Sequence, residues 1–108
     1  MNSVIIKHID ELSIICQKHS VNHLYVFGSV LANRFNAQND LDFLVEFDEP
    51  DNPVTFGLLL IKFEKELETL FDREIDAVLS RYINDPFSKK IDQTKVLIYD
   101  QRGKKIFA

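Results

Sequence analysis

The residues of this sequence best suited to chemistry are aspartates. Asp40 and Asp42 flank Leu41 in the run Asn39-Asp40-Leu41-Asp42-Phe43-Leu44-Val45. On an extended chain, residues two apart share a face with Cα atoms about 6.5–7 Å apart, so the two carboxylates can converge on a pair of divalent ions roughly 3.5–4 Å from one another. Hard oxygen ligands of this kind favour magnesium over zinc. Asp76, in the alternating run Glu74-Ile75-Asp76-Ala77-Val78-Leu79, completes a cluster of three carboxylates if the two strands are neighbours. The chain has ten Asp, so an Asp-x-Asp pair arises on the order of once by chance and carries no signal alone. Its distance from Gly28-Ser29 does carry one. Gly-Ser, ten residues, then Asp-x-Asp is expected only about 0.0015 times at this composition.

Several elements must position these groups. Leu24-Tyr25-Val26-Phe27 is a β-prone run that stops at Gly28-Ser29, and Ser29 is a good cap for a short helix through Val30, Leu31 and Ala32. In Leu41 to Phe47, Leu41, Phe43, Val45 and Phe47 point to one face, and Asp42, Leu44 and Glu46 to the other. Glu74 to Leu79 is predicted as a third strand with Glu74 and Asp76 on its polar face. Ser3 to Lys18 is predicted as one amphipathic helix with Ile5, Ile9, Leu12 and Cys16 inward. Asp48-Glu49-Pro50-Asp51-Asn52-Pro53 reads as a turn within one domain. A helix then starts with Asn52 as cap and Pro53 at its first position, its apolar stripe being Phe56, Leu59, Phe63, Leu67 and Leu70. A last helix is predicted from Asp85-Pro86 to about Thr94. Val96-Leu97-Ile98-Tyr99 fits the end of that helix or a further strand.

Composition sets the frame. The 108 residues carry 17 acidic and 13 basic side chains, a net charge of −4, with 45% hydrophobic residues and nine Phe. This describes one globular domain over residues 1–108. The mild acidity argues against a module that grips nucleic acid by charge alone. A single cysteine, Cys16, excludes an internal disulfide, and no apolar run approaches a membrane span or a signal peptide. A cytoplasmic protein is expected. Cys16, His19 and His23 have metal-like gaps but lack a fourth ligand nearby, so the histidines read as surface or cap residues. Ser29 has no Gly-x-Ser-x-Gly elbow to make it a nucleophile. Arg102, Lys104 and Lys105 read as a solvated tail, and Glu74 as a strand-edge charge.

With its strand-like flanks Tyr25-Val26-Phe27 and Phe43-Leu44-Val45, the Gly-Ser and Asp-x-Asp arrangement resembles the polymerase-β-like nucleotidyltransferase superfamily, and within it the minimal nucleotidyltransferases (MNT). That resemblance implies an α/β (α+β) fold, a small mixed β-sheet with helices on one face and the other face open for nucleotide and partner. It implies that Gly28 lets a triphosphate approach the backbone while Ser29 holds phosphate oxygens. Asp40 and Asp42 would bind Mg2+. Asp76 would share one ion and help deprotonate a hydroxyl that displaces pyrophosphate from ATP. It further implies a HEPN toxin as protein partner, with AMP transferred to a tyrosine of that toxin and this chain acting as antitoxin. The chain departs from the family pattern at Ala32-Asn33, where many members have Arg-Gly, at Asn39, often Ser, and at Asp72, often Gly. The first departure keeps a second class in view, a binding module that neutralises its partner by contact. A small-molecule nucleotidyltransferase is the third.

Overall fold

The computed structural model describes residues 3–28, 40–48, 53–79, 91, 93–102 and 104–105. In chain order the elements are α1 (Ser3–Lys7), α2 (Ile9–Lys18), β1 (Val21–Phe27), β2 (Leu41–Phe47), α3 (Pro53–Phe71), β3 (Ile75–Leu79), β4 (Val96–Asp100) and β5 (Lys104–Lys105). The strands form one mixed sheet in the order β3-β2-β1-β4-β5. Only the β2–β3 pair is parallel; the others are antiparallel. α3 makes the crossover that a parallel pair requires.

The apolar stripes of the three helices meet one face of this sheet. Ile5, Ile9, Leu12 and Cys16 from α1 and α2, and Phe56, Phe63, Leu67 and Phe71 from α3, are buried with Leu24, Val26, Leu41, Phe43, Val45, Phe47, Ile75, Ala77 and Leu79. Phe63 stands edge-on to Phe47 at 5.9 Å between ring centroids, and Phe43 and Phe71 lie 5.9 Å apart. Each such aromatic contributes roughly 1.5–3 kcal/mol by leaving water. No helix among the described residues is long and apolar enough to cross a membrane.

The structure refines the expected elements. The helix predicted from Ser3 to Lys18 breaks at His8, whose backbone (φ −111°, ψ 15°) leaves the helical region. The His8 ring sits 5.3 Å from that of Phe71, edge-on, so a contact with the distant end of α3 accompanies the break. β1 begins at Val21, earlier than its apolar run suggests, because Asn22 and His23 find partners on neighbouring strands. Val96 to Asp100 forms a strand. Leu24 faces Tyr99 and Tyr25 faces Leu97, which leaves Ile98 as the extra residue of a bulge and turns both Ile98 and Tyr99 into the core. Of the basic tail, Arg102 is exposed, and the backbone of Lys104 and Lys105 pairs with Asp100 and Tyr99 as a short edge strand. The start of the last helix at Asp85-Pro86, the Asn52 cap and the short helix at Val30–Ala32 lie outside the described residues. Ile91, Gln93 and Thr94 are helical.

The opposite sheet face is not wholly open. Phe27, Leu44 and Ile91 form a second buried cluster there, with Tyr25 and Val78 packed against it. Four side chains of the sheet, Phe27, Leu44, Tyr25 and Val78, therefore cluster with Ile91 on this face.

Candidate active site

The site is a property of strand parity and register. β2 places Asp42 on the face away from the helices, and β3 does the same with Asp76. In the parallel β2–β3 ladder Asp42 is the direct partner of Asp76, which sets their Cα atoms one strand spacing apart, about 4.8 Å. On the other side of β2, Asp42 is opposite Phe27 of β1. Gly28 follows Phe27 with φ +74°, a conformation L side chains rarely adopt. A Cβ added at Gly28 would lie 2.4 Å from Oδ2 of Asp42. Glycine is thus required here twice, for its backbone conformation and for the close approach of the carboxylate.

These residues line a cleft of about 280 Å³ together with Val78, Ile91 and Thr94. Phe27, Val78 and Ile91 make much of its lining apolar, and Asp42 and Asp76 bring two carboxylates to it. Of the residues singled out in the sequence, Gly28, Asp42 and Asp76 come together in this cleft. Asp40 is exposed ahead of β2 and is not among the residues lining it. Ser29, like Ala32, Asn33 and Asn39, lies outside the described residues. Among the described residues, no three His, Cys, Asp or Glu side chains stand close enough to hold a metal ion. Asp42 and Asp76 nevertheless present hard oxygen donors at one strand spacing, a donor set that fits magnesium better than a softer metal.

The edge of the sheet beside Asp76 is sealed from α3. Glu64 accepts a hydrogen bond from the Ala77 backbone N–H at 3.2 Å. Burial raises the Glu64 carboxyl above its ordinary range; the bond from Ala77 opposes this, and the charges of Glu68 and Asp76 add to it. The Cys16, His19 and His23 trio is dispersed. Cys16 is buried in the core, where desolvation pushes its thiol far up. His19 bonds to Glu66, and His23 Nδ1 lies 2.8 Å from Glu46 Oε1. Sequence reasoning did not single out Phe27, Val78, Ile91 or Thr94 as lining residues. Phe27 and Val78 were readable from parity, since both alternate onto the Asp42 face. Ile91 and Thr94 reach the cleft only through the chain's return in space.

The sequence profile of the nucleotidyltransferase domain family matches residues 10–99. This chain belongs to that family. The nucleotidyltransferase is similar to a protein of Methanocaldococcus jannaschii named "Putative protein adenylyltransferase MJ0126", 29% identical over 90 residues, 83% of this chain and 85% of the other. Its fold is shared with a solved "putative minimal nucleotidyltransferase", at TM-score 0.66 and 22% identity, covering 89% of this chain and 95% of that one. It is shared too with a complex of a tri-AMPylated Shewanella oneidensis HEPN toxin with its MNT antitoxin, at TM-score 0.63 and 12% identity, covering 91% and 74%. The nucleotidyltransferase is thus an enzyme of nucleotide substrates, and the cleft with Gly28, Asp42 and Asp76 is its candidate active site.

Proposed function

We propose that this nucleotidyltransferase moves AMP from ATP, with Mg2+, onto a hydroxyl of a protein partner, a tyrosine of a HEPN toxin, and so acts as an antitoxin in the cytoplasm. The observation that carries the reading is the register pairing of Asp42 with Asp76 beside Gly28 in one cleft. The name borne by the M. jannaschii relative and the AMPylated partner of the S. oneidensis antitoxin support the choice of a protein acceptor.

Asp42 and Asp76 are the residues that would hold magnesium, with Asp40, exposed at the entrance of β2, turning toward them when the ion binds; the metal would offset the negative charge gathered between phosphate oxygens and carboxylates. Gly28 leaves room for the triphosphate against the backbone, and Ser29 supplies a hydroxyl to its oxygens. Phe27, Val78 and Ile91 exclude water from one side of the bound nucleotide. Asp76 takes the proton of the attacking hydroxyl. The hydroxyl oxygen forms a bond to the α-phosphorus as the bond to the bridging oxygen breaks, and pyrophosphate carries away that electron pair.

A second reading rests on Ala32-Asn33, where many members of the family have Arg-Gly: the chain neutralises its partner by contact and transfers weakly or not at all. Incubation with magnesium, α-labelled ATP and the product of the adjacent gene separates the two. Label on that protein, lost in Asp42→Asn, is the expected outcome. Tight binding without label would establish the contact reading, and label on a small molecule would point to a free acceptor.

A further inference from the structure

Asp76 meets Asp42 only as firmly as β3 is held in place. β3 has five residues, pairs with β2 on one side, and ends the strand order among the described residues. The Leu41 N–H donates to the Glu74 carbonyl at 3.1 Å. In a parallel ladder alternate residues turn their backbone groups to the same neighbour. Glu74, Asp76 and Val78 therefore turn theirs to β2, and Ala77 turns its N–H away from it. Glu64 takes that N–H: its Oε2 accepts at 3.2 Å, from 13 residues earlier in the chain. The anchor itself is rigid. Phe63 and Leu67, both 0% exposed, fix this turn of α3 in the core, where close packing leaves side chains little room to shift. Across the ladder the Asp42 and Asp76 carboxylates are direct partners, and like charges so placed push their strands apart. The bond to Glu64 ties the residue next to Asp76 to the packed helix as well as to the ladder.

We propose, resting on the reading of Asp76 as a reacting residue of the cleft, that Glu64 is a positioning residue for the transfer. Through the Ala77 N–H it holds β3 so that the Asp76 carboxylate stays against Asp42. Its part is carried by an acceptor oxygen, so a neutral amide oxygen serves as well as a carboxylate. A shift of about 1 Å at a reacting group can lower a rate on the order of 100-fold, so a bond worth little to the fold can matter greatly to the rate. α3 is also the crossover between β2 and β3, so the connection that makes the two strands parallel also fixes the second carboxylate.

The test compares Glu64→Ala, Glu64→Gln and Glu68→Ala with the wild type in two measurements: hydrogen exchange of the Ala77 amide without ligands, and transfer of label from ATP, with magnesium, to the product of the adjacent gene. Glu64→Ala is expected to speed Ala77 exchange about tenfold and to lower kcat about tenfold, with KM for ATP changed by less than about twofold. Glu64→Gln stays near the wild type in both, and Glu68→Ala, one turn further along α3, changes neither. Glu64→Met carries the same comparison if the Ala variant does not fold. In an Asp76→Asn background, Glu64→Ala adds less than about twofold, because it acts through the residue already removed. The same loss in that background would assign Glu64 a merely structural part. An unchanged kcat or unchanged Ala77 exchange in Glu64→Ala would overturn the proposal, as would Glu64→Gln behaving like Glu64→Ala. A wild type that transferred no label, or an Asp76→Asn variant that transferred it as fast, would remove the reading of Asp76 and this inference with it.

Discussion

Each residue of the acidic pair is placed at some expense in stability. Asp42 and Asp76 face each other across a parallel ladder, and like charges directly opposite on a sheet repel. Asp76→Asn is accordingly expected to lower transfer to the partner by about 100-fold or more, as loss of a general base does, while leaving the fold equally stable or more stable by a few tenths of a kcal/mol. Initial rates of label incorporation and a urea titration of the same samples check both halves. A large loss of stability would mean that Asp76 is a structural residue. Gly28 makes the converse case. With φ +74° and a Cβ position overlapping Asp42 Oδ2, Gly28→Ala is expected to cost about 1–3 kcal/mol in backbone strain and to displace the very carboxylate the reaction needs. Its transfer rate should fall together with its stability, a pattern Asp76→Asn does not share.

At the scale of elements, the scaffold around the site is tied together by side chains that periodicity alone leaves unmatched. Glu66 of α3 holds the end of α2, bonding Lys18 at 2.7 Å and also His19. The bond from Lys18, then that from His19, holds the Glu66 carboxyl below its ordinary range. A carboxyl with a lowered folded pKa adds stability above its unfolded value and loses it as pH falls through the folded one. Glu66→Ala should therefore cost about 0.5–1 kcal/mol at pH 7, with the difference from wild type vanishing as pH falls below about 4. Denaturation midpoints across that range measure it; a difference that persisted in acid would assign Glu66 a packing role instead. Element type and facing were largely legible in the sequence. β2 runs from Leu41 to Phe47 as its alternation predicts, and the inward stripe Ile5, Ile9, Leu12, Cys16 is buried in full. Asp72, expected at the helix exit, takes the left-handed conformation with φ +51°. What the sequence left open was the run Val96 to Tyr99, because four apolar residues suit a strand or a helix equally until a partner strand is present. β1 supplies that partner. The break at His8 likewise accompanies a ring contact with Phe71, some sixty residues further along the chain.

Taken whole, the molecule presents a sheet with helices α1 to α3 on one face and chemistry on the other, and the two faces are bound to a common stability. A ligand that occupies the cleft of the folded state alone stabilises all of it. Magnesium and ATP at about a hundred times the dissociation constant should add about 2.7 kcal/mol, raising the unfolding temperature by roughly 10–20 °C. Calorimetry with and without nucleotide checks this, and the shift should vanish in Asp42→Asn. By itself, the amino-acid order determined which side chains share a face, since the strand period of two and the helical period of 3.6 follow from backbone geometry and need no neighbours. It determined, too, the acidic residues and the glycine corner that make up the candidate site. Only the tertiary structure decided that β2 and β3 lie side by side in a register that pairs Asp42 with Asp76, and that Ile91 packs on the face that carries them. Such adjacencies come from the burial of segments far apart in the chain, which no local pattern of residues encodes.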